Sequence, residues 1–133
     1  MAYTVKIDGV AELTEEVIDV RFISRIPDSS NARSADLDVT ICIEGKISFD
    51  ADKILMKDST GEIAKWSLIK PDEGDSYKNV KVEYKHASVT RNYEFTHAFV
   101  ISYTETFGTV NSTDGTFQLI LKQKKDRVDG VTV

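Results

Sequence analysis

The chain has 133 residues, 41% of them hydrophobic, which is enough for one domain with one core (residues 1–133). Asp and Glu (22) outnumber Lys and Arg (17), giving a formal net charge of −5, which argues against nucleic acid or an anionic membrane as the main partner. The single cysteine, Cys42, excludes an internal disulfide and a cysteine-based metal cluster. Its position in the apolar run 39–43 predicts a buried, inert thiol. Without a signal-peptide pattern or an apolar run of about 18 residues, we expect cytoplasmic synthesis and no membrane anchor.

Three segments near the N-terminus alternate in the manner of β-strands. They are residues 3–7, 10–13 and 17–26, and the turn dipeptide Asp8-Gly9 separates the first two. A helical turn at Glu15 and Glu16 is an alternative before the third. In that third segment we expect a core-facing side with Ile18, Val20 and Phe22.

A long loop is predicted for residues 24–36, which are rich in Ser, Asn, Asp and Pro and have no apolar period. Loops of this length are uncommon in compact domains and often bind a partner. An ordinary exposed hairpin tip is the alternative interpretation.

The middle of the chain predicts one strand and one short helix. Residues 37–47 alternate, with Leu37, Val39, Ile41 and Ile43 expected to face inward. The pattern in residues 47–57 leaves strand and helix equally open.

The helix is predicted over residues 60–70. Ser59 is an N-cap candidate three residues before Glu62, and Ile63, Trp66 and either Leu68 or Ile69 recur at helical spacing. We expect Trp66 to place the helix on the sheet. An acidic turn follows at 71–76, and then a half-exposed strand at 80–85.

A β-hairpin near the C-terminus is expected to fix the core. Residues 95–107 and 116–124 both alternate, and a linker rich in turn-forming residues (108–115) joins them. Residues 131–133 are β-prone, and we expect them to pair at a sheet edge within the subunit or on a neighbour. On the first strand one face carries Phe95, His97, Phe99, Ile101, Tyr103, Glu105 and Phe107, and the polar, nearly uncharged face carries Thr96, Ala98, Ser102 and Thr104.

These elements predict a mainly β protein. The fold class is a small antiparallel β-barrel, or two packed sheets, with one short α-helix and a long extended loop.

The sequence contains no recognisable catalytic constellation. His86 and His97 lack metal-ligand spacing and are interpreted as structural, and phosphate-loop and nucleophile-elbow motifs are absent. No catalytic, cofactor or metal site is therefore predicted. Glu105 is interpreted as an interface residue rather than a catalytic one. The basic cluster Lys122, Lys124, Lys125 and Arg127 is expected to meet acidic residues on a neighbouring copy.

The strand FTHAFVISYTETF (residues 95–107), its Gly/Asn/Ser/Asp linker and the strand TFQLILKQKK (residues 116–125) resemble the closing strands of one family. That family is the haemolysin-coregulated protein (Hcp) tube subunits of type VI secretion and their relatives in phage-like contractile tails. The order of the preceding elements agrees with the family, whereas residues 47–57 show no clear match.

The resemblance implies a non-enzymatic tube subunit that forms hexameric rings, stacked into the hollow inner tube of a contractile injection system. It implies sheath and baseplate or spike proteins as partners, effector cargo in the lumen, and release as part of a particle. The implied ring-stacking loop holds Arg25, Asp28, Ser29, Ser30, Asn31, Arg33 and Ser34. The implied subunit interface holds Glu105, Lys122, Lys124, Lys125, Arg127, Asp72 and Glu73. A monomeric ligand-binding β-barrel is the first alternative and a hydrolase the second.

Overall fold

The computed structural model describes residues 2–26, 37–48, 59–70, 72–108 and 114–133. These residues form eight strands and one α-helix, and 3-10 helices lie at Gly74–Ser76 and Lys125–Gly130. The elements are β1 (Ala2–Ile7), β2 (Ala11–Leu13), β3 (Val17–Arg25), β4 (Asp38–Ser48), α1 (Ser59–Ser67), β5 (Lys78–His86), β6 (Val89–Phe107), β7 (Asp114–Gln123) and β8 (Val131–Thr132).

All eight strands belong to one antiparallel sheet in the order β2-β1-β5-β6-β7-β4-β3, with β8 attached to β6. The 19-residue β6 organises this sheet because its first half pairs with β5 and its second half with β7. The predicted fold class is confirmed: the protein is mainly β with one short helix. The two layers expected from the sequence are two halves of this one sheet.

The sheet folds over itself, so that the edge strand β3 packs against β6. The Phe22 ring stacks on the Tyr93 ring with centroids 4.7 Å apart, and it meets the Phe95 ring edge-on at 6.2 Å. Apolar side chains from both halves fill the space between them, and burying that surface is the main stabilising contribution to the fold. Its most buried large side chains include Phe95, Leu13, Ile41, Ile43, Ile63, Leu119 and Leu121.

The predicted continuous bulky face of β6 is wrong for part of the strand. The pairing shifts register between Phe95 and Ala98, and again between Val100 and Ser102. Each β-bulge adds one residue and so exchanges the inward and outward positions that follow it. Ala98, expected on the polar face, is therefore fully buried, whereas Ile101 is exposed. After the second bulge the odd positions face inward again, and Phe107 is 55% exposed because it ends the strand.

A third irregularity corrects the prediction for β3. The register shifts between Val17 and Asp19, which turns Val17 into the core and leaves Ile18 exposed. In β4 the inward positions Val39, Ile41 and Ile43 are confirmed. Leu37 is exposed because it lies just before β4 begins.

Helix α1 ends at Ser67, three residues earlier than predicted. The Trp66 side chain is buried as expected, and its indole Nε1 donates a hydrogen bond of 2.8 Å to the Ser76 carbonyl. Ile69 packs against the core while Leu68 is 83% exposed, so Ile69 occupies the alternative position left open by the pattern. In the part of the chain that the structure describes, no helix is long and apolar enough to cross a membrane.

The C-terminal alternatives are also resolved. Strand β8 pairs with β6 of the same chain, with Val131 opposite Phe95 and Thr132 opposite Glu94. Most of the predicted long loop and of the ambiguous segment 47–57 lie outside the described residues.

Candidate assembly surfaces

The structure describes the residues that flank the predicted ring-stacking loop on both sides. Arg25 is the exposed last residue of β3 and lies opposite Asp38 of β4. Ile26 and Leu37, on either side of residues 27–36, both expose apolar side chains. The other predicted loop residues, Asp28, Ser29, Ser30, Asn31, Arg33 and Ser34, lie outside the described residues.

The predicted basic cluster is partly neutralised within its own chain. Lys122 Nζ lies 3.9 Å from a carboxylate oxygen of Asp38, and Lys124 Nζ lies 3.8 Å from one of Asp126. Lys124 Nζ also lies 5.1 Å from the centroid of the Tyr77 ring, within cation-π range. None of these three contacts involves Asp72 or Glu73, the acidic residues of the predicted subunit interface.

The last two members of the cluster lie in the 3-10 helix Lys125–Gly130. Lys125 and Arg127 are both exposed there. They are therefore the cluster residues with the most solvent-accessible charge, and the ones best placed to reach another chain.

The Gln123 side chain fixes the 3-10 helix Lys125–Gly130 to β6. Its Oε1 accepts a hydrogen bond of 2.9 Å from the His97 backbone N–H. Its Nε2 donates to the Thr96 Oγ1 at 2.9 Å and to the Arg127 carbonyl at 2.7 Å. Gln123 is buried, so these bonds replace the water that its amide loses. Gly130 packs so tightly here that a Cβ would collide with Thr96 Oγ1.

Sequence reasoning missed this role of Gln123 although a signal was present. Phe117, Leu119 and Leu121 face inward, and Gln123 continues the same alternation as a polar residue. A glutamine at a core position predicts a network of buried hydrogen bonds. Its partners could not be predicted, since they come from a different strand and from the chain beyond β7.

The acidic turn lies at the start of β5. Asp72, Glu73 and Asp75 are all exposed, and the Trp66–Ser76 hydrogen bond holds the turn against α1. Within the described ranges none of the three carboxylates has a cation within ion-pair distance. The turn therefore presents its charge to solvent.

Glu105 lies near the end of β6 with its carboxylate exposed. It accepts a hydrogen bond of 2.7 Å from the Tyr103 hydroxyl, and Phe107 is exposed two residues further on. The interface role of Glu105 stays a prediction.

Several strand edges are open within the described residues, among them those of β2, β3 and β8 and one side of the second half of β6. Strand β2 pairs only with β1, and β3 pairs only with β4. The open edge of β3 is nine residues long and includes the exposed Ile18. Such an edge offers unpaired backbone groups to another chain.

The outer face of β3, β4, β7 and the second half of β6 is mostly polar. One cross-strand row runs Arg21, Cys42, Ile120, Ser102, and the next runs Asp19, Glu44, Gln118, Thr104. The Gln118 amide donates a hydrogen bond of 2.8 Å to the Glu44 carboxylate. Ser102 and Thr104 thus lie on a broad outer face, as the sequence predicted for them.

Apolar side chains fill the space between the sheet halves, and a groove of about 840 Å³ lies on the outer face, lined by Lys6, Glu12, Lys81 and Glu94 among others. In the described ranges no group of His, Cys, Asp and Glu side chains could hold a metal ion. Desolvation, with the nearby Tyr84 and Asp19, raises the pKa of Tyr3.

Known proteins were compared with this chain in both sequence and fold. No family model and no curated protein matches the sequence. The fold is similar to the structure of Hcp1 from Flavobacterium johnsoniae, with 14% identity over 92% of this chain and 90% of that chain, at a TM-score of 0.57.

Two further structures give the same result. One is a type six secretion system protein, with 12% identity over 92% of this chain and 79% of that chain, at a TM-score of 0.62. The other is a chain in the virion of a native gene transfer agent particle, with 13% identity over 92% of this chain and 90% of that chain, at a TM-score of 0.54. At these identities the likeness is one of fold, and the fold of this chain is that of the Hcp-like tube subunits.

Proposed function

We propose that this protein is a non-enzymatic structural subunit that forms hexameric rings, which stack into the hollow inner tube of a contractile injection system. The observation that carries the proposal is the fold shared with Hcp1 and with a gene transfer agent particle protein over 92% of the chain. In this role the protein works by self-association and needs no cofactor.

The open strand edges support assembly between copies. The edge of β3 is nine residues long and carries the exposed Ile18. A contact between this edge and a different surface of the next copy is head-to-tail, and such contacts generate closed rings when the rotation closes.

The mostly polar outer face suits the wall of a wet lumen. Thr104, Gln118 and Ser102 can be solvated, and the charged side chains in their cross-strand rows are of both signs, namely Arg21, Asp19 and Glu44. Lys125, Arg127 and Glu105, which are exposed, and the partly paired Lys122 and Lys124 are the residues we assign to contacts between copies. Sheath, baseplate and spike proteins are the further partners proposed, with effector cargo in the lumen and release of the assembled particle.

The first experiment measures the native mass and the negative-stain appearance of the purified protein at rising concentration. We expect rings of about six subunits or hollow filaments, because tube subunits associate by mass action. A species of about 15 kDa at every concentration, with the baseplate proteins present as nucleators, would overturn the proposal and favour the monomeric binding barrel.

A second experiment separates stacking from ring formation. The double variant Arg25→Ala with Arg33→Ala removes two cations from the proposed stacking loop. We expect rings to persist and filaments to be lost, since the loop is assigned to contacts between rings. Lys65→Ala, on the exposed side of α1, is the control and should leave filaments intact. Filaments of normal length in the double variant would remove the loop from the stacking contact.

A further inference from the structure

The hairpin between β5 and β6 ends in an exposed arm, residues 85–91. Every residue from 85 to 92 is exposed, including Val89 at 46%. The closing pair is His86 with Val89, so the turn has two residues. Its first residue, Ala87, has a φ of 53°, a left-handed conformation that glycine adopts at lower cost. The arm thus projects an ordered tip that the core of its own chain does not cover.

The arm is basic although the protein is acidic. Lys85, His86 and Arg91 lie between Glu83 and Glu94, and that interval contains no carboxylate. Lys85 Nζ is 3.5 Å from Glu83, but both side chains are exposed and such a pair is weak. The Arg91 guanidinium donates to the Thr90 carbonyl, at 3.5 Å. Arg91 therefore carries an accessible charge that no carboxylate neutralises within the described residues.

The acidic turn, which contains Asp72, Glu73 and Asp75, lies at the other end of β5 and carries the opposite charge. It precedes the first residue of β5, Lys78, whereas the arm follows Tyr84 near the end of β5. Along an extended strand these ends are roughly 26 Å apart. A single chain does not bring the two together, because β5 pairs with β1 and β6 along most of its length and so stays extended between them.

We propose that the basic arm of one copy binds the acidic turn of the next copy. The inference rests on the proposed tube function and names the partner surface for Asp72 and Glu73, two residues that the family resemblance implied for the subunit interface. Opposite charges at the two ends of one strand favour a head-to-tail contact, in which each copy uses both surfaces once. Lys122 and Lys124 are less suitable partners for this turn, since Asp38 and Asp126 already lie beside them.

The test uses charge reversal in the full-length protein. Arg91→Glu and Glu73→Arg are each expected to lower the assembled fraction about tenfold at the concentration where half of the wild type is assembled. Lys65→Glu is the matched control for Arg91→Glu, since it makes the same charge change on exposed α1, and it should assemble normally. Sedimentation velocity measures the assembled fraction at one fixed salt concentration.

Mixing the two variants distinguishes a lost contact from a lost fold. In an alternating assembly the charge-reversed arm of one variant meets the charge-reversed turn of the other, and at the next junction a wild-type arm meets a wild-type turn. We therefore expect an equimolar mixture to regain assembly that neither variant shows alone. The double variant Arg91→Glu with Glu73→Arg should regain it too, because every junction is again complementary.

The outcomes separate this inference from the proposed function. Wild-type rings with normal assembly of Arg91→Glu would overturn the arm contact and leave the tube function standing. Failure of both the mixture and the double variant would also overturn the contact. A wild type that forms neither rings nor filaments would overturn the proposed function and this inference together.

Discussion

Cys42 lies on the outer face of β4, between Arg21 of β3 and Ile120 of β7. It is half-buried rather than fully buried as the sequence suggested. Desolvation raises the pKa of its thiol, and the Arg21 guanidinium opposes part of that effect while Glu44 and Asp19 add to it. The Cys42 thiol is accordingly expected to be unreactive, which agrees with the inert role predicted from its apolar neighbours.

We expect the alkylation rate of Cys42 to rise with pH through a midpoint above the ordinary thiol value of about 8.5. The folded-state pKa exceeds that of the unfolded chain, so the stability that the neutral thiol contributes is fully present below the unfolded value. That stability is lost as pH rises through the folded pKa. Iodoacetamide kinetics measure the midpoint, and chemical unfolding of wild type against Cys42→Ser measures the stability difference. A midpoint at or below about 8.5 would contradict the expectation.

At the scale of single elements, one buried side chain helps to hold the C-terminal part of the chain. The 3-10 helix Lys125–Gly130 has no buried residue, and β8 has only two residues. The hydrogen bonds of Gln123 hold this part of the chain against β6 together with the pairing of β8 and the packing of Val128 and Val131 on the core.

Replacing Gln123 with Leu should lower the free energy of unfolding by about 1–3 kcal/mol, since it strands the His97 N–H and the Arg127 carbonyl without partners. Amide hydrogen exchange at Val131 and Thr132 should quicken more than exchange in the centre of β7. Gln118→Leu is the matched control on the exposed face of the same strand, and we expect it to change stability little. Equal losses in the two variants would show that the network contributes nothing specific.

The strands also show what the alternation of residues along the chain can and cannot predict. Strand type was predicted for all the longer strands, because alternation is a local property of the chain. The bounds were predicted approximately except for β6, which begins at Val89 rather than at the predicted Phe95. The side that faces the core was predicted well for β7, which is regular, and partly wrong for β6 and β3, which contain bulges. A bulge forms where neighbouring strands demand it, so nothing local at Ile18 or Ile101 announces that the alternation reverses there.

At the scale of the whole molecule, the nine-residue edge of β3 is one of the open strand edges among the described residues. If copies of the chain complete one another at this edge, a lysine there should oppose assembly, as edge lysines do in natural sheets.

Ile18→Lys places a charge beside the bulge on this edge, at a side chain that the core does not need. We expect the variant to fold with nearly wild-type thermal stability and to form fewer rings at equal concentration. Leu68→Lys, at the exposed position after α1, adds the same charge away from any sheet edge and should assemble normally. Size-exclusion chromatography with light scattering measures both variants, and unchanged assembly of Ile18→Lys would exclude this edge from the ring contact.

The order of residues along the chain was enough to establish the strand content, the single short helix anchored by Trp66, and the resemblance to tube subunits. These follow from side-chain period, helix-start signals and local residue order, which act over a few neighbouring positions. Three-dimensional contacts were needed to show that the strands share one sheet, that Ala98 is buried and Ile18 exposed, and that Gln123 joins β6 to the C-terminal segment. They also showed that the basic arm and the acidic turn lie at opposite ends of β5. Such relations depend on residues distant in sequence, where register, bulges and the folding of the sheet outweigh local preference.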